Sequence, residues 1–248
     1  MRQILKCIRT IDKLDVELFN ELNIGVEIQD FTEPNLTDEK KQEIVGAYKS
    51  ALENLKGRRA LHGPFLDLKP ASPDNLIRMV SYKRYLDTIN IATELDIDYL
   101  IFHSQINPNL NEPNLVKLNN YQARDFWQSI LKETNFKGTI LIENIFENEP
   151  KTLLDYIDMV DFPNIKVNLD IGHAKLGKAR LEDWIKLLKY KIVYIHIHSN
   201  NGKYDQHLAP KETEIRDLYN LLDKYDIDPV LSLEYEINDF KKEITKYL

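Results

Sequence analysis

The sequence predicts an α/β fold, a single (β/α)8 TIM barrel that spans residues 1–248 as one domain. Short β-rich runs alternate with longer amphipathic segments, and this pair recurs eight times along the chain. Such alternation is typical of parallel strands that are joined by right-handed crossovers. Eight units in a chain of 248 residues match the size of a closed barrel.

An open, doubly wound sheet is the alternative architecture. Such a sheet usually carries a glycine-rich phosphate-binding turn after its first strand. The corresponding segment here, residues 9–12, reads Arg-Thr-Ile-Asp and is not such a turn. No stretch of the chain has the composition of a linker between domains, so we favour the closed barrel.

The predicted strands are short apolar runs that end in polar residues. In the seventh, apolar residues alternate with a tyrosine and with His196 and His198, so the two imidazoles point the same way. Pro163 and Pro229 lie just before the sixth and eighth strands, where they end the preceding segments. The eight predicted strands are Ile4–Arg9, Gly25–Phe31, Ala60–Phe65, Tyr99–Gln105, Thr139–Ile145, Lys166–Ile171, Ile192–His198 and Val230–Ile237.

The predicted helices lie between these strands and carry recognisable start signals. Thr37 is an N-cap residue for the second helix, and Ser72-Pro73 supplies a cap and a first turn for the third. The sixth helix has apolar residues on one face only. The predicted helices are Leu14–Leu22, Asp38–Leu55, Asp74–Leu95, Tyr121–Thr134, Lys151–Val160, Leu181–Tyr190, Thr213–Tyr225 and Phe240–Leu248.

Composition restricts the class of protein. The formal net charge of -7 opposes tight binding of DNA or RNA by bulk electrostatics, because phosphate contacts need clustered lysine and arginine. The single cysteine, Cys7, cannot form an internal disulfide, which fits a reducing compartment. No run is apolar and long enough to span a bilayer, and no secretory signal is evident. We therefore predict a cytoplasmic protein.

All six histidines lie near the ends of predicted strands or in the segments after them, and none lies inside a predicted helix. They therefore gather at the carboxyl-terminal rim of the barrel, where active sites of this fold lie. The chain then brings back a carboxylate and an imidazole in Asp205-Gln206-His207, directly after the seventh strand. The six are His62, His103, His173, His196, His198 and His207.

Three carboxylates end strands at the same rim. Glu143, Asp170 and Glu234 terminate the fifth, sixth and eighth predicted strands, and each is flanked by apolar residues. A buried carboxylate without a partner is costly, and divalent metal ions would offset that cost while also using the imidazoles. The alternative is a hydrogen-bonded polar plug that fills the barrel without a metal.

The ordered series of these residues resembles that of a known superfamily. Together the motifs are similar to the ligands of the xylose isomerase-like TIM barrels (AP endonuclease family 2), which include endonuclease IV-type enzymes and sugar or sugar-phosphate isomerases and epimerases. The resemblance runs from Gly25-Val26-Glu27-Ile28 to the eighth strand. Its motifs are Leu61-His62-Gly63-Pro64-Phe65, His103, Glu143-Asn144, Asp170-Ile171-Gly172-His173, His196-Ile197-His198, Asp205-Gln206-His207 and Glu234.

The resemblance implies up to three divalent metal ions, Zn²⁺ or Mn²⁺. The first would use His62, His103 and Glu143. Asp170, His196 and Glu234 would hold the second, with Glu143 as a bridge. His173, Asp205 and His207 would hold the third. Either His196 or His198 could be the ligand on the seventh strand, and the His-x-x-Asp pattern of the family favours His196, with Ser199 at the Asp position.

Two activities from different classes follow from the resemblance. The first is a metal-dependent sugar or sugar-phosphate isomerase or epimerase, in which Glu143 and Glu234 move a proton and the metal stabilises an enediolate. The second is an endonuclease IV-like phosphodiesterase with three zinc ions and a nucleic-acid partner. The acidic charge favours the small substrate. A barrel that only binds a metal or a sugar is a third, non-enzymatic interpretation.

Four residues are weaker candidates for substrate contact. His198 would contact substrate or support a ligand if His196 binds the metal. Glu27, with Gln29, points inward from the second strand, where polar residues that merely fill the barrel are the alternative. Lys69 and Lys203 lie on predicted rim loops and could hold one phosphate of a small substrate; ordinary solvated lysines are the alternative.

Overall fold

The structure, a computed structural model that describes residues 2–247, contains a closed barrel of parallel strands in the order β1 to β8. Each strand pairs with the next along the chain, and β8 pairs with β1. The predicted closed barrel is therefore confirmed. The strands are β1 (Ile4–Ile8), β2 (Gly25–Ile28), β3 (Arg59–His62), β4 (Tyr99–His103), β5 (Thr139–Glu143), β6 (Ile165–Asp170), β7 (Ile192–Ile197) and β8 (Val230–Leu233).

Helices cover the outside of this barrel. The α-helices within the described residues are α1 (Val16–Glu21), α2 (Asp38–Leu52), α3 (Asn75–Glu94), α4 (Pro113–Glu133), α5 (Pro150–Val160), α6 (Ile171–Leu176), α7 (Leu181–Leu188), α8 (Glu212–Lys224) and α9 (Phe240–Ile244). The last residue predicted for the final helix, Leu248, lies outside the described residues. No helix between residues 2 and 247 is long and apolar enough to cross a membrane.

The largest differences from the predicted helices concern α4 and α6. Helix α4 begins at Pro113 instead of Tyr121, because the Glu112 side chain accepts the Leu115 N–H at 3.0 Å and caps the helix. Helix α6 was not predicted, and it starts directly where β6 ends. Asp170 caps it by accepting the N–H of His173 at 2.7 Å. This short helix thus holds two of the predicted ligands within one turn.

Several strands end earlier than predicted, because the chain leaves the sheet at the polar rim. The second predicted strand reached Phe31, whereas β2 ends at Ile28 and a 3₁₀ turn covers Asp30–Thr32. Likewise β8 ends at Leu233, although the backbone N–H of Glu234 still donates to the Ile197 carbonyl at 3.0 Å. Glu234 is therefore held in register with the sheet.

The barrel interior consists of layers of side chains, and the order of these layers determines where the polar site residues lie. An apolar layer, separate from the main core between strands and helices, fills the amino-terminal end of the barrel. Its buried members are Leu5, Ala60, Ile101, Leu141, Tyr194 and Val230. Because side chains on a strand alternate, the residue two positions further along points into the barrel again. On β3, β4 and β5 those residues are His62, His103 and Glu143.

Candidate metal centre and active site

The nine predicted ligands converge at the carboxyl-terminal end of the barrel in three groups that share carboxylates. The central group surrounds His196, which is fully buried. Its Nδ1 atom lies 3.0 Å from Glu234 Oε2, 3.2 Å from Glu143 Oε2 and 3.6 Å from Asp170 Oδ2. This Nδ1 has no hydrogen-bond partner among the described residues. Three carboxylates therefore converge on one unpartnered nitrogen.

The first group lies on β3, β4 and β5. His62 Nε2 is 3.5 Å from Glu143 Oε2, and His103 Nε2 is 3.7 Å from Glu143 Oε1. Phe65 stacks on the His103 ring with centroids 4.3 Å apart, which fixes the orientation of that imidazole. Glu143 thus touches both this group and the central group, as a bridging ligand would.

The third group lies between α6 and the loop after β7. His173 Nε2 and His207 Nε2 lie 3.2 Å and 3.0 Å from the same oxygen, Asp205 Oδ2. His207 has a positive φ of 48°, an uncommon backbone conformation that turns its side chain back toward the barrel. Asp205 is partly exposed, so this group sits at the open edge of the site.

The hydrogen bonds of the imidazoles orient their free nitrogens inward. His62 Nδ1 donates to the Gly63 carbonyl at 2.8 Å, and the Nδ1 atoms of His173 and His207 donate to the carbonyls of Asn144 and Glu234, each at 3.0 Å. A carbonyl only accepts, so the other nitrogen of each neutral ring carries a lone pair. That lone pair faces carboxylate oxygens, an arrangement that is repulsive unless a cation lies between them.

The spacing of these atoms fits a metal ion. Bonds of 2.0–2.1 Å in a tetrahedral zinc site place neighbouring ligand atoms about 3.3 Å apart. The separations between imidazole nitrogens and carboxylate oxygens in the three groups run from 3.0 to 3.7 Å. Carboxylate oxygens and imidazole nitrogens are donors that suit Zn²⁺, and the oxygen-rich central group also suits Mn²⁺. The residues present therefore fit divalent metal ions.

The charges of the site agree with the geometry. Burial raises the pKa of the Glu143 carboxyl, but the nearby imidazoles of His196 and His103 have a larger, opposite effect and hold this pKa well below its usual value. Burial lowers the pKa of His196, yet Glu27, Glu234 and Glu143 raise it well above normal. The carboxylates of the cluster therefore stay ionised, and protons or metal ions can supply the positive charge that balances them.

A buried polar layer supports the central group from below. Glu27 is fully buried, and its Oε2 atom accepts hydrogen bonds from Tyr194 Oη at 2.7 Å, Ser232 Oγ at 2.8 Å and His196 Nε2 at 2.9 Å. Glu27 thus contacts the Nε2 edge of His196, whereas the central carboxylates face Nδ1, and its predicted contact with substrate remains a prediction. Gln29 donates to Glu234 Oε1 at 2.7 Å and holds that carboxylate in place.

Two asparagines complete the site and were not predicted as functional. Asn168 donates to Glu143 Oε2 at 2.8 Å and accepts the backbone N–H of His196 at 3.1 Å. Asn144 accepts the Asp170 N–H and donates to the Asp170 carbonyl, both at 2.9 Å. The two-residue period of β6 was a usable signal for Asn168, since it points inward together with Asp170.

The structure separates the roles of the two histidines on the seventh strand. His196 faces all three central carboxylates, whereas His198 contacts Asp170 alone among them within 4 Å. His198 is buried and stacks on His207, and its predicted contact with substrate remains a prediction. Lys69 and Lys203 are exposed on rim loops, and their predicted phosphate contact remains a prediction.

Comparison with known proteins agrees with this architecture. The chain is 30% identical over 190 residues to the uncharacterized protein MJ1311 of Methanocaldococcus jannaschii, an alignment that covers 70% of this chain and 63% of that protein. Two solved structures resemble the whole chain with a TM-score of 0.76. One is a D-tagatose 3-epimerase-like protein (22% identical; 100% of this chain, 94% of that one). The other is the TTHB071 protein of Thermus thermophilus soaked with ZnCl₂ (18% identical; 99% and 96%). Residues 21–247 match the family model of the xylose isomerase-like TIM barrel, and the chain belongs to that family.

Proposed function

We propose that this protein is a divalent-metal-dependent isomerase or epimerase that acts on a sugar or sugar phosphate. The observation that carries the proposal is the central group, where Glu143 and Glu234 approach one unpartnered imidazole nitrogen from the ends of β5 and β8, three strands apart in the barrel. Isomerisation and epimerisation next to a carbonyl require one group that removes a proton from carbon and one that returns it. Two carboxylates around a common metal position meet that requirement.

The chain's own residues prepare both carboxylates. Asn168 donates to Glu143, and Gln29 donates to Glu234, so neither side chain swings freely. Glu234 keeps its Oε2 directed at the central group and is slightly exposed, whereas Glu143 is almost fully buried. A substrate carbon placed between them would lose a proton to one and receive it from the other. A cation held there would polarise the carbonyl oxygen and stabilise the negative charge that develops.

The surroundings support a small substrate. The carboxylates of the three groups form ion-pair contacts only with histidines within the described chain, and no lysine or arginine reaches them. The absence of such contacts among the described residues is consistent with a substrate smaller than a long polyanion. Of the two solved structures compared above, one is described as D-tagatose 3-epimerase-like, which is consistent with sugar chemistry.

A zinc phosphodiesterase of the endonuclease IV kind is the second candidate. Its support is the third group, in which His173, Asp205 and His207 would supply three of the four ligands of a further zinc ion beside the other two groups. Proton transfer by Glu143 and Glu234 does not require this group, whereas binding a phosphate between several cations does require it.

The test compares both reactions on the same metal-loaded protein. Ketoses and their phosphates are incubated in deuterated water, and deuterium at the carbon next to the carbonyl is followed by nuclear magnetic resonance. We expect incorporation with the wild type and a loss of about 10²- to 10⁴-fold in both Glu143→Gln and Glu234→Gln, because each removes a proton-transfer group. The exposed Glu53→Gln is the matched control and should match the wild type. Cleavage of an abasic-site duplex without any deuterium incorporation would refute the isomerase proposal.

A further inference from the structure

His198 occupies a position between the central and the third group. Its side chain is buried, its Nε2 lies 3.0 Å from the Asp170 carboxylate, and its ring stacks on His207 with centroids 4.0 Å apart and planes 2° from parallel. Its other nitrogen, Nδ1, is buried without a hydrogen-bond partner among the described residues and lies 3.7 Å from Asp205 Oδ1. One imidazole thus touches a ligand of the central group and two ligands of the third.

His198 does not itself complete the third group as a ligand. A metal bonds an imidazole nitrogen close to the plane of the ring, at about 2.0–2.1 Å. The rings of His198 and His207 are stacked and parallel, so one ion cannot lie in both planes. In addition, the Nε2–H of His198 donates to Asp170, since a carboxylate only accepts. His198 is therefore a supporting residue.

The chain makes room for this imidazole. A Cβ atom added at Gly172 would lie 2.1 Å from His198 Cε1, a distance that no side chain tolerates. Gly172 stands between Asp170 and His173, which belong to different groups, and its carbonyl accepts from Asn200 Nδ2 at 2.8 Å. The segment from 170 to 173 therefore supplies one ligand to each group and leaves between them the space that His198 fills.

We infer that His198 is a positioning residue that couples the central and third metal sites. Its N–H orients Asp170 for the central site, and its ring supports His207 for the third. A change at this one side chain therefore alters metal binding at both sites, although it ligates neither. The inference rests on the metal sites of the proposed function, but not on the reaction that they serve.

Zinc affinity tests the inference without measuring activity. Glu143→Gln removes the carboxylate shared by the first and central groups and isolates the third, whereas Asp205→Asn removes the third and leaves the others. Zinc binding to each variant is measured by competition with a chromophoric chelator, with and without His198→Leu. Leucine fills part of the space but can neither donate to Asp170 nor stack on His207. We expect a loss of about 10- to 100-fold in both backgrounds, the size typical of residues that support ligands.

Two further variants separate coupling from general damage. Tyr194→Phe removes a hydrogen bond to Glu27 beneath the central group only, so it should weaken zinc binding in the Asp205→Asn background alone. His198→Gln can still donate to Asp170 but cannot stack, so it should restore the affinity of the central site and leave the third weakened. Circular dichroism checks that each variant is folded.

The outcomes separate the two hypotheses. An unchanged zinc affinity in either background with folded His198→Leu would overturn the coupling, as would a wild type that binds no zinc. A metal-loaded protein that shows the expected coupling but no isomerase activity would refute the proposed function and leave this inference standing.

Discussion

The buried pair of Glu27 and His196 allows a quantitative prediction. Replacing Glu27 by glutamine keeps the shape of the side chain, and the amide oxygen can still accept from Tyr194, Ser232 and His196, which all donate to one oxygen in the wild type. Only the negative charge is lost. The fold should therefore survive, whereas the imidazole becomes a weaker ligand because its partner is no longer anionic.

The magnitude follows from the change in hydrogen-bond type. A hydrogen bond to a charged group contributes about 1.5–3 kcal/mol, against about 0.5–1.5 kcal/mol for a neutral pair. The difference, about 1–1.5 kcal/mol, corresponds to a roughly 5- to 12-fold weaker affinity of the central site for zinc, since about 1.4 kcal/mol is a factor of ten. Zinc titration against a chromophoric chelator, in the Asp205→Asn background, measures it.

The matched control is Asp30→Asn. Asp30 is also a buried carboxylate that accepts from a tyrosine, Tyr48, at 2.5 Å, but it makes no contact with the ligands. This variant should bind zinc like its parent. If folded Glu27→Gln binds zinc within twofold of its parent, the idea that Glu27 tunes His196 is wrong.

Three other predictions concern stability. Gly172→Ala should lower the free energy of unfolding by about 1–3 kcal/mol in urea denaturation, because the added Cβ would overlap His198. Gly46→Ala in α2, where an added Cβ meets no atom within 4 Å, should raise it by about 0.5–1 kcal/mol. Equal effects of the two variants would contradict the assigned clash. Glu147→Leu should lower the free energy of unfolding by about 1–3 kcal/mol, because it leaves Ser104 Oγ and the backbone N–H of Ile145 without an acceptor. Glu147→Gln keeps an acceptor and should stay near the wild type. A larger loss in Glu147→Gln than in Glu147→Leu would contradict this account. Zinc at 100 times its dissociation constant should stabilise the apoprotein by about 2.7 kcal/mol per site in thermal denaturation, and no shift would argue against metal binding by the folded state.

The fold class was predictable because it depends on periodic patterns that are local in the chain. Alternating strand and helix segments and right-handed crossovers leave few topologies, and the barrel is confirmed. Element ends were less predictable. The start of α4 depends on a Glu112 cap, and α6 depends on the Asp170 side chain, which serves the same turn as cap and as candidate ligand. Hydrogen bonds of single side chains determine such boundaries, and the hydrophobic periodicity of the sequence does not reveal these bonds.

The same distinction applies to the candidate site. Strand ends of a parallel barrel lie at one rim, so the sequence alone predicted that six histidines and the acidic residues of the strand ends would meet there. It left His196 and His198 as alternatives and assigned Glu27 a possible contact with substrate. The structure places His196 toward three carboxylates, His198 between two groups and Glu27 beneath His196.

The sequence by itself determined the barrel and the rim at which polar side chains collect, because both follow from strand order and from the two-residue period of a strand. Only the tertiary structure decided which nitrogen of each imidazole is free, which carboxylate is shared and which lies buried as a support. Those properties depend on distances of about 3 to 4 Å between side-chain atoms on strands that are far apart in the chain. A shift of about one ångström decides whether two such atoms are in contact.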